Sequence, residues 1–172
     1  MNKKIKNHKI NLLFDSKKFI FNKKEPYKIE IKTKDLKQRI QFLLKILNSV
    51  KTEVTIRFCD NRTMEEMNGK FRNKFSTTDV LSFPSDQFHT ETTFYLGDLL
   101  VCVPKCYEQS IYFKITFSEE LEKMIIHGLV HLKGFDHERS ASDYHVMLAL
   151  EKSLSTELNS CLGFPKWCSL SL

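Results

Sequence analysis

Apolar positions repeat every three or four residues in three stretches of the chain, and this spacing predicts three helices. In the first, six apolar residues recur at helical spacing: Leu36, Ile40, Leu43, Leu44, Ile46 and Leu47. This helix is expected to begin at Asp35, whose carboxylate can cap it. The last should begin at Ser140 or Ser142 and end at Gly163. One side of this last helix is apolar and consists of Met147, Leu150, Leu154, Leu158 and Leu162.

The middle helix is apolar on nearly every side, because it contains Met124, Ile125, Ile126, Leu129, Val130 and Leu132. A helix of this kind must be largely buried. Ser118 is expected to cap it and Gly134 to end it. A shorter helix should precede it, beginning with a capping box formed by Thr63 and Glu66 and ending near Phe71.

Short segments rich in β-branched or alternating apolar residues predict strands, separated by turns and helices. They are Ile10–Phe14, Tyr27–Ile31, Glu53–Phe58, Asp79–Phe83 and Tyr95–Val103. A polar loop separates the last two strands, as in a hairpin. Interspersed strands and helices of this kind predict an α+β fold, with a small mixed sheet packed against helices and the middle helix at its centre.

Length and composition indicate a soluble globular protein, since 41% of the 172 residues are apolar and 28% are charged. We expect one domain over residues 1–172, in which residues 1–26 form a basic, partly irregular segment. No apolar stretch approaches the roughly 20 residues of a membrane-spanning helix, and the first residues lack the apolar region of a secretion signal. A cytoplasmic protein without a membrane partner is therefore expected.

The net charge of +6 favours polyanions such as RNA, although a lysine-rich composition can also reflect solubility alone. The five cysteines are odd in number and show no paired CxxC spacing, so they predict neither a disulfide framework nor a thiolate zinc site.

Three of the six histidines fall within eleven residues, HGLVHLKGFDH, at the end of the middle helix. His127 and His131 are four residues apart and lie on the same side of that helix. Gly134 can reverse the chain and bring His137 back toward them. A buried imidazole needs a partner, and a shared metal ion provides one, so the sequence predicts a metal site at His127, His131 and His137.

Neutral imidazole suits zinc, although nickel, copper and iron also accept it. Three ligands leave a fourth position open for water, a pattern typical of catalytic zinc sites. The spacing matches that of metalloproteases with the sequence HExxHxxGxxH, but Gly128 replaces their general-base glutamate. Asp136 is the nearest candidate acid or base, and its other interpretation is a carboxylate that orients a ligand histidine.

Two motifs together resemble those of the YbeY family of bacterial endoribonucleases, which are zincin-like. The segment HGLVHLKGFDH fits the family signature HGxxHxxGxDH, and NGKFRNKFSTTDVLSFP (residues 68–84) fits its upstream pattern. Leu96, Gly97 and Asp98 resemble a further LGD segment. The resemblance extends over about residues 53–163 in the same order and spacing.

The resemblance implies that the three histidines bind the metal and that Arg72 has a catalytic role. It also implies cleavage of single-stranded RNA in ribosomal RNA maturation, at the 3′ end of the small-subunit RNA, with a part in ribosome quality control and contacts to small-subunit proteins. A guanidinium can contact two phosphate oxygens, and Lys70 and Lys74 beside Arg72 can guide an RNA backbone. Two alternatives remain at this point: a zincin-type peptidase, and a non-catalytic assembly factor stabilised by metal.

Overall fold

Two β-sheets and five α-helices make up the part of the chain that the structure, a computed structural model, describes: residues 8–16, 18–22, 25–47, 51–86, 93–136 and 140–171. The strands are β1 (Lys9–Phe14), β2 (Lys18–Asn22), β3 (Glu25–Ile31), β4 (Thr52–Cys59), β5 (Val80–Pro84), β6 (Phe94–Cys102) and β7 (Cys168–Ser171). The helices are α1 (Thr33–Leu47), α2 (Asn61–Arg72), α3 (Val103–Phe113), α4 (Phe117–Leu132) and α5 (Ala141–Leu162).

The larger sheet has the strand order β1-β4-β6-β5 and is mixed. Strands β1, β4 and β6 are parallel, while β5 pairs antiparallel with β6 and forms one edge of the sheet. Gly97 in β6 pairs with Pro84 at a φ of +135°, and a Cβ there would lie 2.2 Å from the carbonyl oxygen of Phe83. Only glycine fits this position.

Alternating side chains of β5 and β6 separate the core into two clusters on the two faces of the sheet. Leu99 and Val101 join the larger cluster, which includes apolar residues of α1, α4 and α5. Leu100 and Cys102 face the other way and form a smaller cluster with Met64 of α2. Helices α4 and α2 therefore cover opposite faces of the sheet.

Helix α4 lies at the centre of the fold, because it packs against α3, α5, β5 and β6. Its apolar residues are buried, as predicted. Glu122 on the same helix is also buried and pairs with Arg39 of α1, whose Nη2 donates to Glu122 Oε1 at 3.0 Å. Arg39 further donates to Asn159 Oδ1 and the Gly163 carbonyl, each at 2.8 Å, which connects α1, α4 and the end of α5.

A second sheet, with strand order β2-β3-β7, joins residues near the start of the chain to residues near its end. The sequence predicted β3 but neither β2 nor β7. Ser118 fastens α4 to β7, since its Oγ donates to the Cys168 carbonyl at 2.9 Å and accepts from the Cys168 N–H at 3.2 Å. Ser118 is therefore not the cap that the sequence predicted.

Thr116 caps α4 instead, with Glu119 completing a capping box. Helix α2 also begins earlier than predicted, because the Asp60 carboxylate accepts from the Thr63 N–H at 2.8 Å and caps the helix. The capping box predicted at Thr63 is therefore wrong. Asp35 lies inside the first turn of α1, where a negative charge is still favourable near the helix N-terminus.

The predicted α+β class is confirmed, and the five predicted strands and the apolar sides of the predicted helices are present. Gly134 follows the end of α4 with a φ of +90°, as expected of a residue that reverses the chain. None of the helices in the described ranges is long and apolar enough to cross a membrane.

Candidate metal centre and adjoining cleft

His127 and His131 lie one turn apart near the C-terminal end of α4, with their Nε2 atoms 3.1 Å from each other. The two rings are inclined by 83°, and the side chain of His127 is 24% exposed. Both rings line a cleft at the surface rather than the closed core. The i, i+4 spacing read from the sequence therefore brings the two imidazoles to one point.

Glu151 on α5 holds the opposite edge of the His127 ring. Its Oε1 lies 2.7 Å from His127 Nδ1. The tautomer of His127 that donates from Nδ1 to this oxygen leaves the lone pair on Nε2, which faces His131. Sequence reasoning missed Glu151. The signal for it was a charge on the otherwise apolar side of the last helix, four residues after Met147 and three before Leu154.

The histidine pair fits a shared zinc ion. Two imidazole nitrogens bound tetrahedrally to one zinc at about 2.0–2.1 Å would lie about 3.3 Å apart, close to the separation of His127 and His131. The third predicted ligand, His137, lies outside the described residues. Within those described, no cluster of three or more histidine, cysteine, aspartate or glutamate side chains has metal-binding geometry.

An open cleft of about 580 Å³ adjoins the histidines and follows the edge strand β5. Alternate residues of that strand face it, and the Ser82 hydroxyl donates to the Gly128 carbonyl of α4 at 3.4 Å. The cleft is lined by Arg72, Lys74, Thr78, Asp79, Val80, Ser82, Pro84, His127, His131, Gly134, Phe135 and Asp136. It is therefore a polar groove between the end of α4 and the segment after α2.

The position of Arg72 follows from how α2 ends. Asn73 takes the left-handed conformation, with φ 55° and ψ 32°, and reverses the chain so that Arg72 and Lys74 both line the cleft. Across the described ranges Arg72 forms no salt bridge. Lys70 lies outside the cleft, with its Nζ 5.1 Å from the centroid of the Phe71 ring.

Asp79 is one of two carboxylates that line the cleft. Burial alone would raise its pKa, but hydrogen bonds from Gln109 Nε2 at 2.9 Å and from the Val80 N–H at 2.9 Å outweigh burial and hold the pKa below its ordinary value. Asp79 is therefore an ionised, fixed group. The other carboxylate there is the predicted Asp136, which follows the turn at Gly134. Its role as an acid or base stays a prediction.

Gly128 faces the core rather than the cleft. A Cβ at this position would lie 2.7 Å from Cδ2 of Leu99, which is fully buried in β6. The glycine therefore lets α4 approach the sheet closely. It also explains in structural terms why the general-base glutamate of metalloproteases has no counterpart here.

The fold and this site together define an α+β protein that carries two histidines of a central helix beside a polar, arginine-bearing cleft. A family model described as endoribonuclease YbeY matches residues 20–159. The chain belongs to the YbeY endoribonuclease family, as the two sequence motifs implied.

Two relatives illustrate the match. The endoribonuclease YbeY of Sulfurihydrogenibium sp. (strain YO3AOP1) is 35% identical over 135 residues, which cover 78% of this chain and 89% of that protein. The protein of the same name from Persephonella marina is 34% identical over 131 residues, covering 76% of this chain and 86% of that one.

The solution structure of TM1509 from Thermotoga maritima shares the fold, with a TM-score of 0.55 and 24% sequence identity. The match covers 88% of this chain and 93% of that one.

Proposed function

We propose that this protein is a metal-dependent endoribonuclease that cleaves single-stranded RNA in ribosomal RNA maturation. One observation carries the proposal: the Nε2 atoms of His127 and His131, 3.1 Å apart, adjoin a cleft that also contains the guanidinium of Arg72. Family membership supports the choice of RNA as the substrate.

In this proposal His127, His131 and His137 hold one zinc ion. When bound, zinc would supply Lewis-acid chemistry, polarising the phosphodiester and making a water molecule more acidic. Glu151 keeps the Nε2 atom of His127 available for the ion by accepting the bond from Nδ1. The two facing nitrogens need little rearrangement to share it.

Arg72 binds the scissile phosphate. Its planar guanidinium can donate two parallel hydrogen bonds to phosphate oxygens, and these strengthen as negative charge develops on them. It lines the cleft and forms no salt bridge with any residue that the structure describes. Lys74 adds a second positive charge beside it.

The two other functions are less well supported. A zincin-type peptidase needs a proton acceptor, and position 128 holds a glycine packed against Leu99. A purely structural metal does not call for an open polar cleft lined by an arginine that pairs with no carboxylate of the described residues. As part of the same proposal the protein acts in the cytoplasm, on the 3′ end of small-subunit RNA, with small-subunit proteins and in ribosome quality control.

The test is cleavage of a labelled single-stranded RNA by the purified protein as isolated, after chelation, and after zinc is restored. Cleavage should disappear with the metal and return with it, and His131→Ala should be inactive under all three conditions. Cleavage that survives chelation or the His131 substitution would refute the metal-dependent mechanism, as would turnover of an unstructured peptide with the RNA left intact.

The role of Arg72 needs a matched control. Arg57 lies on β4, is 44% exposed and pairs with Asp15 at 2.6 Å, away from the cleft. Arg72→Ala should abolish cleavage and leave zinc affinity unchanged, while Arg57→Ala should cleave normally. Normal cleavage by Arg72→Ala would exclude the proposed phosphate contact.

A further inference from the structure

An exposed aromatic ring stands next to the two cations of the cleft. Phe75 directly follows Lys74 and is 77% exposed, although a phenylalanine ring gains free energy by leaving water. It lies on the outer side of α2, in a shallow groove that also contains Gly69, two cations (Arg62 and Lys70) and two carboxylates (Glu65 and Glu66). Because Phe75 directly follows Lys74, this groove is one residue along the chain from the cleft that Arg72 and Lys74 line.

The backbone on both sides of this ring is fixed. The Lys74 N–H donates to the Asn68 carbonyl at 3.3 Å, and Nδ2 of the same asparagine donates to the Ser76 carbonyl at 2.8 Å. Asn68 itself is only 3% exposed. This one buried residue thus holds the residue before Phe75 through its backbone carbonyl and the residue after Phe75 through its side chain.

A glycine gives the ring a flat support. A Cβ at Gly69 would lie 2.8 Å from Cδ1 and Cε1 of Phe75, so the ring rests directly on the helix backbone. One face of the ring is supported in this way, and most of the side chain remains exposed. The arrangement resembles a rigid platform rather than a loose side chain.

Cations outnumber carboxylates around the ring, which favours an anionic strand. The two carboxylates are Glu65 and Glu66, and Glu66 is paired with Arg62. The three other cations, Lys70, Arg72 and Lys74, form no salt bridge with any described residue. Cations that track phosphates, combined with an aromatic face for a base, are the two components of single-strand binding sites. Every base has a π-face, so such a platform tolerates many sequences.

We propose that Phe75 is a base-stacking platform for single-stranded RNA, on which one base of the substrate stacks while its phosphates pass Lys74 and Arg72 into the cleft. The inference rests on the proposed function, because it names a further contact with the same substrate. It assigns Phe75 to substrate binding and not to the chemical step.

The test compares an oligouridylate with an abasic ribose-phosphate strand of the same length, which has the charges but no bases. The affinity of the 172-residue chain for each strand is measured in the presence of a chelator, so that no RNA is consumed. The variants are Phe75→Ala, Phe75→Leu and Phe75→Tyr. The matched control is Phe164→Ala, a phenylalanine that is 70% exposed and lies outside the cleft.

The wild type should prefer the oligouridylate over the abasic strand by about 5- to 150-fold, the range expected for one stacked base. Phe75→Ala and Phe75→Leu should lose this preference and bind the abasic strand unchanged, while Phe75→Tyr and Phe164→Ala should keep it. Circular dichroism checks that each variant is folded.

Equal preference in wild type and Phe75→Ala, or full preference in Phe75→Leu, would overturn the proposal. Absence of RNA binding by the wild type would also overturn the proposal. The exposed ring would then be better explained as a contact for a protein partner. Cleavage with restored zinc is measured on the same samples. If the wild type shows the Phe75-dependent preference but does not cut the RNA, the proposed function alone is disproved. If Phe75→Ala cuts and binds the RNA as well as the wild type does, the platform alone is disproved.

Discussion

Replacing Glu151 with glutamine tests whether the carboxylate on α5 sets the direction in which His127 presents its lone pair. In the wild type, His127 Nδ1 lies 2.7 Å from Glu151 Oε1. Glutamine keeps the shape of the side chain and an oxygen that can accept the Nδ1–H bond, but it removes the negative charge. A hydrogen bond to a charged partner contributes about 1.5–3 kcal/mol, against about 0.5–1.5 kcal/mol for a neutral one. Since the Glu151 side chain is only 19% exposed, water screens little of that difference.

The expected loss is therefore about 1.4 kcal/mol, which corresponds to a tenfold weaker zinc affinity. Competition with a zinc chelator of known affinity measures it directly. Glu157→Gln is the matched control, because Glu157 lies on the same helix with an exposed side chain.

Saturating zinc should restore cleavage by Glu151→Gln, since Arg72 and the cleft are unchanged. Zinc affinity within twofold of the wild type would refute the reasoning, because the carboxylate would then have no part in holding the ligand. A tenfold loss in Glu157→Gln as well would show that the effect is one of overall charge.

Three further predictions concern stability, each measured by urea-induced unfolding. Gly97→Ala should destabilise the protein by about 3 kcal/mol or more, because it combines a φ of +135° with a Cβ 2.2 Å from a backbone oxygen; a loss below about 1 kcal/mol would contradict this. Glu122→Ala should cost about 3–5 kcal/mol by leaving the buried Arg39 without its partner, and a neutral effect would count against the pair. Burial raises the pKa of Glu120, so the folded state loses stability as the pH rises and the carboxyl ionises. Glu120→Gln should therefore be more stable than the wild type at pH 7, and the difference should shrink toward pH 4. A difference that grows on acidification would refute this assignment.

The helices and central strands could be predicted because each carries its own local pattern. The apolar surround of α4 and the i, i+4 histidines are set by residues close together in the sequence, and the structure places both as expected. The residues at which helices begin were harder to predict. Asp60, Thr63, Thr116 and Ser118 are all good caps by residue type, and only tertiary contacts, such as the bond from Ser118 to β7, decide which of them caps a helix.

Features that depend on distant residues could not be predicted. Strand β7 has only four residues and exists because it pairs with β3, more than 130 positions earlier. Glu151 meets His127 across 24 residues, and the motif that contains His127 stops short of it. The cleft itself arises where an edge strand lies between helices on opposite faces of the sheet, which is a property of topology rather than of any one segment.

The close packing of Gly128 on Leu99 constrains how this scaffold can diversify over evolution. One nucleotide change can turn a glycine codon into a glutamate codon, which would complete the HExxH sequence of peptidases. Here the new side chain would enter a space where even a Cβ lies 2.7 Å from a buried leucine. A smaller residue at position 99 would have to come first. That substitution would leave a destabilising cavity until glutamate replaced Gly128. The same histidine spacing as in the peptidases thus does not make the glutamate accessible by one substitution in this fold.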